Sequence, residues 1–271
     1  MNIRSSARLE DAVADLDRRE ALCRDMIRSA GEIALAGFAT GDAVGAAMKG
    51  PQDFLTESDG AVERHLKQRI SAEFPQDGFL GEESGGGIEP SLWVVDPIDG
   101  TANFARGIPH FCISVAYVAN GLVELGAIYN PGLDELHFAR RGRGATRNGQ
   151  PIKVAATADY DRACVELGWS PRVPNGRYLA VLDDILTRGA NVRRGASGAL
   201  ALAFVADGRS DAYAELHMHP WDCLGGLLLV EEAGGVTAPF LERNGLSDGG
   251  AVLASCPGIA QGMSEATGIR L

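Results

Sequence analysis

Two aspartates flank a proline in Asp96-Pro97-Ile98-Asp99-Gly100-Thr101, directly after the apolar run Leu92-Trp93-Val94-Val95. Carboxylates held so close repel one another unless a cation lies between them. Pro97 biases Asp96 towards an extended conformation and has no N–H of its own. The spacing predicts a β-turn, in which the first and fourth Cα atoms lie within about 7 Å, so that Asp96 and Asp99 converge and the Ile98 carbonyl offers a third oxygen. An all-oxygen donor set suits Mg²⁺ or Mn²⁺. Gly100 and Thr101 open a predicted helix, whose first N–H groups are suited to a phosphate. A solvated Asp-Gly turn has the same composition, but the hydrophobic strand before it carries the pair towards the interior.

Two further segments place carboxylates at the ends of elements. Gly81-Glu82-Glu83-Ser84 follows a short extended piece and precedes Gly85-Gly86-Gly87, a loop expected to move as a metal binds or leaves. Because neighbouring strand residues face opposite ways, one of the two glutamates is expected to enter a given site. Pro220-Trp221-Asp222 precedes a helix predicted over 222–233, where the aspartate would also serve as an ordinary cap. Gly225 and Gly226 inside that helix each cost about 1 kcal/mol relative to alanine. Their presence predicts close backbone packing beside Asp222.

The elements that must position these groups follow from periodicity. Residues 9–38 read as one or two amphipathic helices, and 60–74 as another with Ser58 or Asp59 as its cap. Strands are predicted at 92–96, 112–118 and 122–129, followed by a hairpin turning at Asn148-Gly149. Helices are expected again at 178–186 and 200–205. With no repeat and no linker, residues 1–271 read as a single α/β domain of stacked helix and sheet layers.

Composition narrows the function classes. At 45% hydrophobic residues over a length of 271, the chain can bury a substantial core. A net charge of −11 argues against nucleic acid or an anionic membrane surface as a partner. Five scattered cysteines without a Cys-x-x-Cys pair point to a reducing cytoplasm, not to a disulfide framework. The first twenty residues lack an apolar run and read as neither a signal peptide nor an anchor.

In combination, Asp53-Phe-Leu-Thr-Glu-Ser-Asp59, Gly81-Glu-Glu-Ser84, the segment 93–104 and the segment 221–235 resemble the inositol monophosphatase family in order and spacing. The hairpin Arg143-Gly-Ala-Thr-Arg-Asn-Gly-Gln-Pro-Ile152 is similar to a family segment of structural interest. The resemblance implies a layered α-β-α-β-α sandwich, a homodimer, and hydrolysis of small phosphate monoesters by two or three Mg²⁺ ions with inhibition by Li⁺. Carried over, it makes Glu82, Asp96, the Ile98 carbonyl, Asp99 and Asp222 the metal ligands, with Glu83 reaching a further, weaker metal. Asp59 and Thr101 would orient the attacking water, and Gly100 and Thr101 would seat the phosphate. Lys49 stands near a position where relatives often carry a lysine close to the site.

Substrate choice is less determined. Glu215 matches a glutamate that inositol-cleaving relatives use to accept hydrogen bonds from ring hydroxyls. The preceding loop departs from the family pattern, however, reading Ala196-Ser197-Gly198 in place of Gly-Ser-Ala or Gly-Thr-Ala, with Ala201 at a common aspartate position and Leu224 at a commonly small one. Inositol monophosphate is the first expectation and histidinol phosphate the second; 3′-phosphoadenosine 5′-phosphate is disfavoured by Asn103-Phe104. A regulatory protein that keeps the fold without turnover is the alternative of another class. His217 and His219 have no partner pattern for zinc, and Gly195-Ala-Ser-Gly198 lacks the spacing of a nucleophile elbow. Arg140, Arg141, Arg143 and Arg147 gather around the hairpin, as a solvated face or as a contact for a second subunit or an anion.

Overall fold

The computed structural model describes residues 3–40, 47–50 and 53–271, with side chains over 13–40 and 56–271. A long helix α1 (Ile3–Thr40) leads into the small antiparallel pair β1 (Ala47–Gly50) and β2 (Asp53–Leu55), then α2 (Glu57–Glu73). Next come β3 (Gly78–Gly81), β4 (Ser91–Asp99), the one-turn helix α3 (Thr101–Phe104), β5 (Cys112–Ala119), β6 (Leu122–Asn130), β7 (Glu135–Arg140), β8 (Gly144–Arg147) and β9 (Gln150–Pro151). The remainder runs β10 (Cys164–Leu167), α4 (Asn175–Thr187), β11 (Asn191–Arg193), α5 (Gly198–Ala206), β12 (Ala212–Met218), α6 (Pro220–Glu232), β13 (Val236–Thr237), α7 (Gly245–Asp248), β14 (Gly250–Ser255) and α8 (Ala260–Thr267).

Strands β3 to β9 form a seven-stranded sheet in sequence order, and a five-stranded sheet has the order β11-β10-β12-β14-β13. Three apolar clusters cement the layers. Leu22, Met26 and Ile27 of α1 and Val62, Leu66 and Ile70 of α2 cover one face of the larger sheet at Trp93, Val95, Ile113 and Leu125. Its other face, at Leu92, Val94, Ala116 and Val118, meets α5 and α6 through Leu200, Leu224 and Leu228, and these helices reach Tyr213 and Val252 of the smaller sheet. Val181 and Ile185 of α4 and Met263 of α8 close the far side over Val165, Ala212 and Leu253. Each fully buried Leu or Ile contributes about 1.5–3 kcal/mol relative to exposure. The result is the α-β-α-β-α sandwich expected from the sequence.

Alternation along β4 aims the chemistry. Trp93 and Val95 face α1 and α2, so Leu92, Val94 and then Asp96 face the layer of α5 and α6. The predicted turn at 96–99 is instead a β-bulge: Asp96 pairs with Ser114 and Asp99 with Cys112, leaving Pro97 and Ile98 opposite Ile113 alone. Proline is tolerated there because a bulge needs no ladder hydrogen bond from it. Helix α6 packs close, as the paired glycines predict: a Cβ on Gly225 would lie 3.1 Å from the Val115 carbonyl oxygen, and one on Gly226 2.5 Å from Leu202 Cβ.

Helix α2 begins three residues earlier than the periodicity suggests. Thr56 is the cap and Asp59 its reciprocal partner, so the predicted capping by Ser58 or Asp59 is replaced by a capping box. Three of the four hairpin arginines are paired within the chain: Arg140 with Asp17 and Glu20, Arg141 with Glu231, and Arg147 with Asp207. All five cysteines are free thiols. Among the described residues, no helix is long and apolar enough to cross a membrane.

Candidate active site

A cleft of about 690 Å³ opens where the bulge of β4, the start of α5, β12 and the start of α6 meet. Glu82, Asp99, Gly100, Thr101, Ala196, Ser197, Gly198, Glu215 and Asp222 line it. Asp59, Asp96 and Ile98 are buried behind them. Glu83 sits close enough to Asp59 for its charge to oppose that group's ionisation. The thirteen residues singled out from the sequence therefore gather in one neighbourhood. The Lys49 side chain lies outside the described residues.

Each acid is held by a distinct local device. Asp96 Oδ1 accepts from the Ile98 N–H at 2.9 Å, which fixes the bulge from within. Asp99 reaches across to the first turn of α5: Oδ2 accepts from Ser197 Oγ at 2.5 Å and from the Ala199 N–H at 2.7 Å, and Oδ1 from the Gly198 N–H at 3.3 Å. This carboxylate caps α5 in place of Ser197 and ties the 96–99 segment to the 196–198 loop. Asp222 Oδ2 accepts from the His219 N–H at 3.0 Å in a capping box that opens α6. Thr101 Oγ1 donates to the Ile98 carbonyl at 2.8 Å and lies 3.4 Å from Asp59 Oδ1, while Asp59 Oδ2 accepts from Thr56 N at 2.8 Å. The helix opened by Gly100 and Thr101 is one turn only, so it supplies N–H groups without a substantial dipole.

The electrostatics follow from crowding acids in a poorly solvated place. Burial, then the charges of Glu82, Asp99 and Asp222, push the Asp96 carboxyl well above the usual range, and Glu82 also hydrogen-bonds to it. Asp222 is driven well up by burial and by Glu82 and Asp99. Burial raises Asp99 too, against the hydrogen bonds from Ser197, Ala199 and Gly198. Asp59 rises to about 6 and Glu215 to about 7, burial being the main cause in both. Among the described residues no three His, Cys, Asp or Glu side chains stand as a ready coordination shell. Hard oxygen donors whose ionisation is suppressed by one another fit a hard divalent cation, which would favour their charged forms.

Other residues hold the site in roles that the sequence reading did not assign. Asn103 Nδ2 donates to the carbonyls of His110 at 2.8 Å and Gly195 at 2.9 Å, joining the one-turn helix to the 195–198 loop. Tyr213, almost fully buried, donates to Glu215 Oε2 at 2.6 Å. A buried Tyr two residues from Glu215 on the same strand face was the available clue. His219 stacks on Trp221 with ring centroids 4.6 Å apart, and His217 meets His219 edge-on at 5.6 Å. Ala196 adopts φ +59°, a left-handed conformation that costs a residue with a Cβ about 1 kcal/mol or more. Ala196→Gly is expected to raise Tm by about 1–3 °C in a thermal melt, the relief of strain exceeding the added entropy of the unfolded chain.

Comparison with known proteins agrees with this geometry. A model of the inositol monophosphatase family matches residues 15–267. The Nus factor SuhB of Salmonella typhimurium is 36% identical over 241 residues, covering 87% of this chain and 90% of that protein. The inositol-1-monophosphatase of Rhizobium meliloti is 40% identical over 193 residues, or 69% of this chain and 73% of that one. The crystal structure of extragenic suppressor protein suhB from Bartonella henselae superposes with a TM-score of 0.85 at 30% identity, over 92% of this chain and 98% of the other.

Proposed function

The chain belongs to the inositol monophosphatase family, and from that premise we propose that it hydrolyses a small polyol phosphate monoester, inositol monophosphate first, with Mg²⁺. The observation that carries this reading is the meeting of Glu82, Asp96, Asp99 and Asp222 beside a cleft, where the neighbouring charges push the Asp96 and Asp222 carboxyls well up. Those four side chains and the Ile98 carbonyl would hold two or three Mg²⁺ ions, or Mn²⁺ in their place, with Glu83 at the periphery. Bound Mg²⁺ would polarise the phosphoryl group and make a water acidic enough to attack at neutral pH.

The chain's own groups do the rest. Asp59, ionised above about pH 6, can accept a proton from the attacking water, and Thr101 Oγ1, directed by the Ile98 carbonyl, fixes that water's direction. Gly100 and Thr101 line the cleft, and their N–H groups would receive the phosphate. Glu215 would accept hydrogen bonds from substrate hydroxyls, with Ala196, Ser197 and Gly198 forming the adjacent wall. Arg172 and Arg194 both favour the ionised Glu215, the form that accepts from the hydroxyls of a polyol. A single domain, a homodimer, a cytoplasmic location and sensitivity to Li⁺ belong to the same proposal.

Phosphate release from inositol 1-phosphate, histidinol phosphate and 3′-phosphoadenosine 5′-phosphate, compared with millimolar Mg²⁺, tests the reading. Inositol 1-phosphate is expected to have the highest kcat/KM. In Tyr213→Phe, KM for it should rise about tenfold with kcat nearly unchanged, since a lost charge-assisted hydrogen bond of about 1.5–3 kcal/mol frees Glu215 from its binding pose. Release of phosphate from none of the three substrates would sink the enzymatic reading. The Nus factor name of the Salmonella relative would then favour the second one, a regulatory protein on the same fold.

A further inference from the structure

We propose that Glu63 is a positioning residue for the proposed metal site, setting the backbone of the turn that carries Glu82 and Glu83. It lies on α2 four residues after Asp59, hence on the same helix face. Only 3% of its surface is exposed. Both carboxylate oxygens are used: Oε2 accepts from the Glu83 N–H at 2.9 Å and Oε1 from the Ser84 N–H at 2.9 Å. A bidentate grip of this kind on two consecutive amides fixes a turn in orientation as well as in place.

The surrounding backbone is shaped to admit that grip. A Cβ on Gly81 would lie 2.3 Å from Glu63 Oε2, so a larger residue there would expel the carboxylate. Gly81 and Gly85 exchange backbone hydrogen bonds of 3.1 and 2.9 Å, and the Glu82 N–H donates to Val95 at 3.1 Å, one residue before Asp96. A Cβ on Gly86, at φ +153°, would come within 1.8 Å of the Phe79 carbonyl oxygen. Within the 85–87 segment, Gly85 is therefore held to Gly81 and Gly86 serves close approach. Helix α2 delivers Asp59 directly and Glu82 and Glu83 through Glu63, so one rigid element sets both the water-orienting acid and one wall of the carboxylate cluster.

This inference rests on the assignment of Glu82 as a cation ligand, and its test separates the two. In the full-length protein, Glu63→Ala and Glu63→Gln are compared with wild type by amide hydrogen exchange over residues 82–86 without metal, by Mn²⁺ affinity from titration, and by Tm. Glu63→Ala is expected to speed exchange at Glu83 and Ser84 and to weaken Mn²⁺ binding about 10–100-fold, the range usual for groups that orient metal ligands. Glu63→Gln should fall between, because its NH2 group takes the place of one acceptor oxygen and cannot accept from the amide that oxygen now serves. Should Glu63→Ala fail to fold, the Gln variant decides the matter. Folded variants with unchanged exchange or unchanged Mn²⁺ affinity would overturn the proposal. If wild-type protein itself bound no Mn²⁺, the metal reading would fall with it, even were the turn shown to depend on Glu63.

Discussion

Asp99→Asn is expected to lower kcat/KM for phosphate release at least a hundredfold, roughly 2.7 kcal/mol of transition-state stabilisation, while leaving the fold intact. Asparagine keeps the shape and one acceptor oxygen but loses the charge that a divalent cation requires. The structural cost is contained by the partners of this side chain. With its oxygen in the Oδ2 place, asparagine still accepts from Ser197 Oγ at 2.5 Å and from the Ala199 N–H at 2.7 Å, and gives up only the longer 3.3 Å acceptance from the Gly198 N–H. Tm measured without divalent cation should therefore stay within a few degrees of wild type. The loss should appear in kcat more than in KM, because the proposed cations act on charge that develops in the transition state. A folded Asp99→Asn protein with near wild-type turnover would remove the metal-assisted mechanism.

Much of this site is legible in the sequence because its central residues violate local expectation. Asp96 and Asp99 end a buried strand, and Gly225 and Gly226 interrupt a helix, so each demands a cause outside its own segment. The individual elements follow from periodicity, and their layer order from the family resemblance. What was hidden has a common physical reason. Glu63 stands beside Arg64 outside the apolar stripe of Val62, Leu66 and Ile70, and nothing local says that the amides of a loop twenty residues on will enclose its carboxylate. The role of Asp99 as cap of α5 is equally non-local, since its acceptors serve N–H groups about a hundred residues away. The turn predicted at 96–99 became a bulge because β5 continues alongside and keeps the strand paired up to Asp99. Ala196 gives no warning of a left-handed backbone, which the loop imposes through Asn103 and Gly100.

Mg²⁺ is expected to stabilise the protein far more at pH 8 than at pH 5, because the site stores electrostatic strain that only a cation or protons can relieve. An acid whose pKa is raised on folding holds its proton more tightly in the folded state, so its contribution is present below the unfolded pKa and lost as pH rises through the folded one. Asp59 rises from 3.8 to about 6 and Glu215 from 4.5 to about 7, so both lose stability between roughly pH 4 and 7. Asp96 and Asp222, pushed further up, extend the same loss to higher pH. His219 works the other way: burial lowers it from 6.5 to about 4, so its stabilising contribution grows with pH but is complete near pH 6.5. Above that point only the acids act. Without divalent cation, Tm should fall by on the order of 10 °C from pH 5 to pH 8, about one pKa unit being worth 1.4 kcal/mol and each kcal/mol a few degrees in a chain of this size. Adding millimolar Mg²⁺ should restore most of that loss at pH 8 and change little at pH 5, where protons already occupy the acids. Scanning calorimetry at the two pH values, with and without Mg²⁺, reads the difference directly. Equal Mg²⁺ shifts at both would mean that these carboxylates do not titrate together with the cation, and the cluster would then be a structural polar network instead of the centre of a hydrolase.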